Sequence, residues 1–198
     1  VFFYKQPKKA ILCDYNKELI TAYRIISKPR KLEWLIKQLK KNYMPHTNNE
    51  EMYYKIRNRK ISGNDIRDVA RFIYLNKACF NGIYRVNKAG KYNVPFGHRK
   101  TPVLLDSDNL RLCHETLKNT KLLCGDFYKT LKYVKKNDLV YLDPPYAPLS
   151  KTANFTEYTD KNFTEFDQER LKDYCDQVNL KGANFILNNS DAPLINHL

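Results

Sequence analysis

The chain has 198 residues, and its 35 Lys and Arg against 21 Asp and Glu leave a net charge of +14, a balance that suits a polyanionic partner. No run of about 18 apolar residues is present and the N-terminus lacks a signal-peptide pattern, so membrane insertion and secretion are not expected. Five scattered cysteines form no CxxC pair and read as buried free thiols, which argues against both a metal site and a disulfide framework.

Fifteen tyrosines and ten phenylalanines are interleaved with the basic residues, and aromatic faces stack on nucleobases. In chain order, Ala10-Ile11-Leu12-Cys13-Asp14 is a short apolar run closed by an acid and predicts a buried parallel strand. Leu19, Ile20, Tyr23 and Ile26 fall at helical spacing before Lys28-Pro29 stops them. Leu32, Leu35, Ile36 and Leu39 predict a second amphipathic helix. From about Met44 to Pro102 the chain turns polar and basic. This stretch carries a cationic patch at Lys55, Arg57, Arg59 and Lys60, readable as a solvated face or as a contact to nucleic acid. It also predicts a helix with Ile66, Val69, Ala70, Ile73 and Lys77 on one face, and a β-hairpin of residues 83–86 and 91–94 joined by Asn87-Lys88-Ala89-Gly90. After Pro102 the pattern gives a helix at 109–118, strands at 121–124 and 139–142, a helix at 165–178 and a strand at 183–187. The alternation predicts an α/β, Rossmann-like body made of residues 1–43 and 103–198, with residues 44–102 as an insertion.

Asp143-Pro144-Pro145-Tyr146 follows the apolar run 139–142, where a buried strand leaves its sheet. Open α/β sheets place their ligand sites at that edge. Two consecutive prolines cannot extend a ladder, so the turn is stiff and presents an acid and an aromatic ring.

Several further segments accompany the quartet: Val1-Phe2-Phe3-Tyr4 leading to Asp14-Tyr15-Asn16, then Asn81-Gly82-Ile83-Tyr84-Arg85, Asn93-Val94-Pro95-Phe96-Gly97, Ala147-Pro148-Leu149-Ser150 and Asn154-Phe155-Thr156. In that order and spacing, over essentially the whole chain, they resemble the Dam family of DNA adenine N6-methyltransferases, a group that includes enzymes of GATC-specific restriction-modification systems. The resemblance implies a Rossmann-like S-adenosylmethionine-dependent methyltransferase fold with an inserted helical plus β-hairpin DNA-recognition domain. It implies methyl transfer from S-adenosylmethionine, with no metal, to a flipped-out adenine of double-stranded DNA, most naturally within GATC. It further implies a cytoplasmic, prokaryotic or phage-encoded protein, with a cognate restriction endonuclease as a candidate partner.

The same resemblance assigns Asp143, Pro144, Pro145 and Tyr146 to catalysis, and Asp14, Asp126, Phe127 and Asp143 to the methyl donor. Asn81, Ile83, Arg85, Pro95, His98, Arg99 and Lys100 fall to DNA, with Arg85 reaching guanine O6 and N7 and the last three residues taking phosphates. The adenine N6 lone pair is conjugated into the ring and is a poor nucleophile. If the Asp143 carboxylate and the Pro144 carbonyl accept the two N6 hydrogens, the nitrogen moves toward tetrahedral geometry and its lone pair faces the methyl carbon. Tyr146 would stack on the flipped base. No covalent enzyme intermediate is required, so the scattered cysteines suit adenine chemistry better than cytosine C5 methylation. Asn in place of Asp143 usually accompanies protein glutamine methylation, and Ser accompanies cytosine N4 methylation.

Some residues keep a second reading. Asp14 suits the donor's ribose hydroxyls or an N-cap for the following helix, and Asp126-Phe127 suits the donor's adenine or an ordinary strand-end turn. The family's Phe-x-Gly-Gly loop, which wraps the donor's methionine moiety, has no counterpart before Val1, and one strand follows the quartet. The expectation is therefore an internal fragment of a longer enzyme, with a catalytically incompetent DNA-binding fragment as the alternative.

Overall fold

The computed structural model describes residues 1–99, 103–148 and 163–198. Residues Val1–Arg85 and Lys91–Gly125 make one compact unit, and Val86–Gly90 with Asp126–Leu198 make another.

The first unit contains α1 (Phe2–Lys5), β1 (Ala10–Asp14), α2 (Lys17–Ile26), α3 (Pro29–Asn42), α4 (Glu50–Asn58), α5 (Asp65–Ala78), α6 (Ser107–Leu117) and β2 (Thr120–Cys124). β1 and β2 pair in parallel, Ala10 opposite Thr120 and Asp14 opposite Cys124, so both strands end at the same edge. Four of the helices start on a side chain that accepts an otherwise unmade backbone N–H bond: Asn16 before α2, Asn49 before α4, Asn64 before α5 and Asp106 before α6. Lys28-Pro29 both stops α2 and starts α3, because proline at the first helical position lacks only a donor that would have no partner there.

The apolar stripe of α3, Leu32, Leu35, Ile36 and Leu39, is buried throughout. Tyr53, Ile56, Val69, Ala70, Tyr74 and Leu75 join it in one core with Ala22 and Ile25. The buried face of α5 is Val69, Ala70, Tyr74, Leu75 and Ala78, while Lys77 lies exposed, which corrects the stripe expected from the sequence. Arg71 is buried on that face; its Nε donates to the Ile56 carbonyl at 3.1 Å and one Nη to the Arg57 carbonyl at 2.7 Å, where α4 ends. α4 itself was not legible in the sequence, since only Tyr53 and Ile56 of its nine residues are buried.

The expected hairpin has no regular ladder. The Asn93 N–H donates to the Arg85 carbonyl at 3.2 Å, and the Gly90 N–H closes the turn on the Asn87 carbonyl at 2.8 Å. Tyr92, Val94 and Phe96 are buried while Asn93 and Pro95 between them are half-buried and exposed, so the two-residue period of a strand persists without the strand. Side-chain bonds take the place of rungs: Tyr92 Oη donates to the Ile83 carbonyl at 3.0 Å and Tyr53 Oη to the Val94 carbonyl at 2.9 Å.

The second unit holds a 3₁₀ segment (Phe127–Tyr133), β3 (Leu139–Leu142), α7 (Glu165–Leu180), β4 (Asn184–Leu187) and α8 (Pro193–His197). β3 and β4 are parallel, Leu139 opposite Asn184 and Leu142 opposite Leu187. Val140, Leu142 and Phe185 face a small core of Tyr174, Val178 and Ala183, while Leu139, Tyr141 and Ile186 lie on the exposed face. Thr164 and Asp167 form a reciprocal capping box that starts α7. Parallel pairing in both sheets, with helices in the connections, is an α/β architecture.

Candidate functional site

In the second unit, β3 delivers Asp143 to the C-terminal edge of its sheet, and the Asn188 N–H extends the ladder by one bond to the Leu142 carbonyl at 2.9 Å. The chain then leaves the sheet at Pro144-Pro145. Asp143 and Tyr146 are exposed, and the Tyr146 hydroxyl stands 3.5 Å from Asp143 Oδ1, a long contact that leaves the carboxylate able to accept from another donor. Desolvation and, after it, the Asp143 carboxylate push the Tyr146 phenol above its ordinary value, so the ring is neutral at physiological pH.

The backbone of this turn is fastened from outside. Gln168 on α7 donates its Nε2 to the Pro145 carbonyl at 3.2 Å, and the Ala147 N–H donates to Asn189 Oδ1 at 3.1 Å. Asn189 Nδ2 donates to Gln168 Oε1 at 3.0 Å, and Ser190 Oγ donates to the Ala147 carbonyl at 2.5 Å. None of Gln168, Asn189 or Ser190 was singled out in the sequence. A signal existed for the first: Gln168 occupies the stripe otherwise made of Leu171, Tyr174, Cys175 and Val178, where a polar side chain calls for a partner.

Asp126 caps the 3₁₀ segment, accepting from the Tyr128 N–H at 2.9 Å. Both of its oxygens also lie 3.0 Å from one Nη of Arg170 on α7, a residue the sequence reading passed over. The Arg170 guanidinium sits 5.2 Å above the Phe127 ring, which packs edge-on against Tyr174 at 5.5 Å. Asp126 and Phe127 are thus held as a pair by α7, half-buried.

In the first unit, Asp14 closes β1 and is half-buried; its Oδ1 accepts from the Asn16 N–H at 2.7 Å, and its carbonyl accepts from the Gly125 N–H at 2.9 Å. The helix cap is Asn16, whose Oδ1 accepts from the Leu19 N–H at 3.1 Å, so the N-cap alternative for Asp14 falls away. Asp14 lies near Tyr23, whose phenol is pushed up by burial first and by this carboxylate second.

The described residues among those assigned to DNA, Asn81, Ile83, Arg85, Pro95, His98 and Arg99, cluster at one place on the same unit. The Phe80 N–H donates to the Pro95 carbonyl at 2.9 Å and Cys79 bridges Phe96, which sets Asn81 and Ile83 beside Pro95. Arg85 Nε donates to Asn93 Oδ1 at 2.8 Å, and an Arg99 Nη lies 3.7 Å from where a side chain on Gly82 would begin. His98 packs edge-on against Phe96 with ring centroids 5.0 Å apart. Asn81, Ile83, Arg85, Pro95, His98 and Arg99 are all exposed. Lys100, Leu149-Ser150 and Asn154-Phe155-Thr156 lie outside the described residues. Of the cationic patch on α4 and just beyond it, Lys55 pairs with Glu51 at 2.5 Å, and Arg57 donates to the Val94 carbonyl at 3.1 Å while stacking on Tyr54. Arg59 and Lys60 are exposed.

A family model for D12 class N6 adenine-specific DNA methyltransferases matches residues 1–198. Over 192 residues the chain is 40% identical to the Type II methyltransferase M.MjaIII of Methanocaldococcus jannaschii, covering 92% of this chain and 66% of that protein. It is 37% identical over 206 residues to the Type II methyltransferase M1.LlaDCHI of Lactococcus lactis subsp. cremoris, covering 100% and 71%. With a DNA adenine methylase of Vibrio cholerae it shares 33% identity over 195 residues, covering 97% and 69%. The chain spans about two thirds of the length of these relatives. Among the described residues no helix is long and apolar enough to cross a membrane.

Proposed function

The chain belongs to the D12 class N6 adenine-specific DNA methyltransferases, and from that premise we propose that it moves a methyl group from S-adenosylmethionine to N6 of an adenine flipped out of duplex DNA. The observation that carries this reading is the Asp143-Pro144-Pro145-Tyr146 turn at the end of a parallel strand, with its backbone pinned and its acid and ring exposed. When bound, the donor supplies an electrophilic methyl carbon on a sulfonium. The protein's task is to make the amine nucleophilic. Asp143 accepts one N6 hydrogen through its carboxylate and the Pro144 carbonyl accepts the other, which draws the nitrogen lone pair out of conjugation and aims it. Tyr146 stacks on the extruded base, and its neutral phenol puts no second negative charge beside Asp143. The proton lost from nitrogen after transfer leaves by way of the same carboxylate or water.

Asp126 and Phe127 suit the donor's adenine: the ring offers a stacking face and Arg170 fixes the carboxylate. Asp14 suits the ribose hydroxyls, being half-buried just past the end of a parallel strand. In this reading residues 1–43 and 103–198 form the Rossmann-like catalytic domain and residues 44–102 the target-recognition insertion, with Arg85 reading guanine in GATC and His98, Arg99 and Lys100 touching phosphates. Two relatives are named Type II methyltransferases, which supports a cognate restriction endonuclease as partner, and the prokaryotic sources of the relatives suit a cytoplasmic site of action. The test is transfer of tritiated methyl from S-adenosylmethionine to duplexes with GATC or a scrambled site. Label on adenine N6 of the GATC duplex is the expected result, whereas label on cytosine or on protein overturns the reading.

A further inference from the structure

We propose that Gln168, locked by Asn189, is the positioning residue of the transfer turn, fixing the Pro145 peptide so that the Asp143 carboxylate and the Pro144 carbonyl keep the geometry the amine requires. The proposal rests on the roles given above to Asp143 and Pro144. Its starting point is a deficit written in the sequence. Pro144 and Pro145 have no N–H, so the turn cannot brace itself with the usual backbone bonds at the place where two acceptors must be held steady. Rigidity has to come from another element.

Gln168 supplies it. The side chain is 2% exposed, on the face of α7 that otherwise buries Leu171, Tyr174, Cys175 and Val178. Both ends of its amide are used, in opposite senses: Nε2 donates to the Pro145 carbonyl and Oε1 accepts from Asn189 Nδ2. The direction of this relay is fixed by groups that cannot reverse. Asn189 Oδ1 faces two backbone donors, Ala147 N–H at 3.1 Å and Ser190 N–H at 2.9 Å, so its amide nitrogen must face Gln168, whose own nitrogen must then face Pro145. Ser190 Oγ adds a bond to the Ala147 carbonyl. The main chain is therefore held on both sides of Tyr146, while Tyr146 and Asp143 themselves stay exposed to substrate. A network anchored on a buried glutamine, in which both amide side chains have partners at each end, has one arrangement, and that is what a site with a tolerance well under 1 Å requires.

The experiment uses the full-length protein carrying Gln168→Met, which keeps length and loses both polar ends, Asn189→Asp, which keeps the acceptor for Ala147 and loses the donor to Gln168, and the double variant. Steady-state methylation of a GATC duplex is measured per folded molecule, with donor and duplex affinities from calorimetry. The expected result is a fall in kcat of about 10–100-fold with KM for both substrates within about threefold, and a double variant no worse than the single ones because the two residues act as a unit. A kcat within about twofold of the parent, a rise in KM alone, or losses that multiply in the double variant would overturn it. Should Gln168→Met fail to fold, the same criteria apply to Asn189→Asp. Asp143→Ala is run in parallel. If it retains turnover the site assignment itself fails, whereas an inactive Asp143→Ala beside fully active Gln168 and Asn189 variants defeats only the positioning role.

Discussion

At the scale of single residues, the proposed reaction separates side chains that would act on substrate from those that hold them. In the proposed reaction Asp143→Ala removes an acceptor for the N6 amine and no phosphate contact, so it should abolish turnover while duplex affinity stays within about tenfold, as a gel-shift assay beside a methylation assay will show. On the same proposal Tyr146→Ala removes the stacking face and should weaken capture of the flipped base by about 1–3 kcal/mol, read from the fluorescence of 2-aminopurine at the target position. Asn93 orients the Arg85 guanidinium through the bond from Nε to Oδ1 at 2.8 Å, which in the proposed reading turns its terminal nitrogens to a base edge. Arg85→Ala should therefore lose about 1–3 kcal/mol of preference for the cognate duplex over one substituted at a guanine, and Asn93→Ala should lose part of the same preference. Equal weakening on both duplexes would make Arg85 a phosphate contact.

Elements show what could and could not be read in advance. β1, α2, α3, β3 and α7 announced themselves, because a buried face repeats at 2 or 3.6 residues and the punctuation at Lys28-Pro29 and Asp143-Pro144 is chemically unambiguous. α4 stayed hidden behind its two buried residues, and the hairpin was overread because alternation of Tyr92, Val94 and Phe96 reports a two-sided environment and says nothing about ladder bonds. For the site, the acid and ring of the turn were legible, whereas Gln168, Asn189 and Arg170 were not: they act through partners far away in sequence, and no local pattern encodes that. Gly97 shows how tightly the chain is set where it returns to Cys79. A Cβ there would lie 2.3 Å from the Cys79 carbonyl oxygen, beside the bond from the Gly97 N–H to the Ala78 carbonyl at 2.9 Å. Gly97→Ala must therefore push two backbones apart, and should cost about 1–3 kcal/mol or more in thermal or urea unfolding. An unchanged midpoint would mean that this close approach relaxes freely.

On the scale of the whole molecule, charge and buried tyrosines set how it responds to its surroundings. With a net charge of +14, duplex binding should weaken steeply with salt, and measured log–log slopes should drop by about one for each phosphate-contacting cation removed, Arg99 being the described candidate. Burial raises the phenols of Tyr53 and Tyr92 and pushes Tyr74 up to about 12, all within the core of the first unit. Folding favours the protonated forms, so this stabilisation is complete below the unfolded value near 10 and is lost as pH climbs toward about 12, where the unfolded chain has shed protons the folded one retains. The free energy of unfolding should fall over that interval, by roughly 2–3 kcal/mol for Tyr74 alone, and Tyr74→Phe should flatten the decline even though it forfeits the bond to the His46 carbonyl at 3.0 Å. Parallel curves for parent and variant would refute the assignment. The two parallel pairings also carry a kinetic message. Leu139 and Asn184 stand 45 residues apart along the chain, whereas Ala10 and Thr120 stand 110 apart, with the helices α2 to α6 between them. Loop closure therefore delays the first sheet and favours the second, so the pairing of shorter sequence separation is the one that forms soonest, and pulse-labelled amide exchange during refolding should protect Val140 and Phe185 before Leu12 and Leu122.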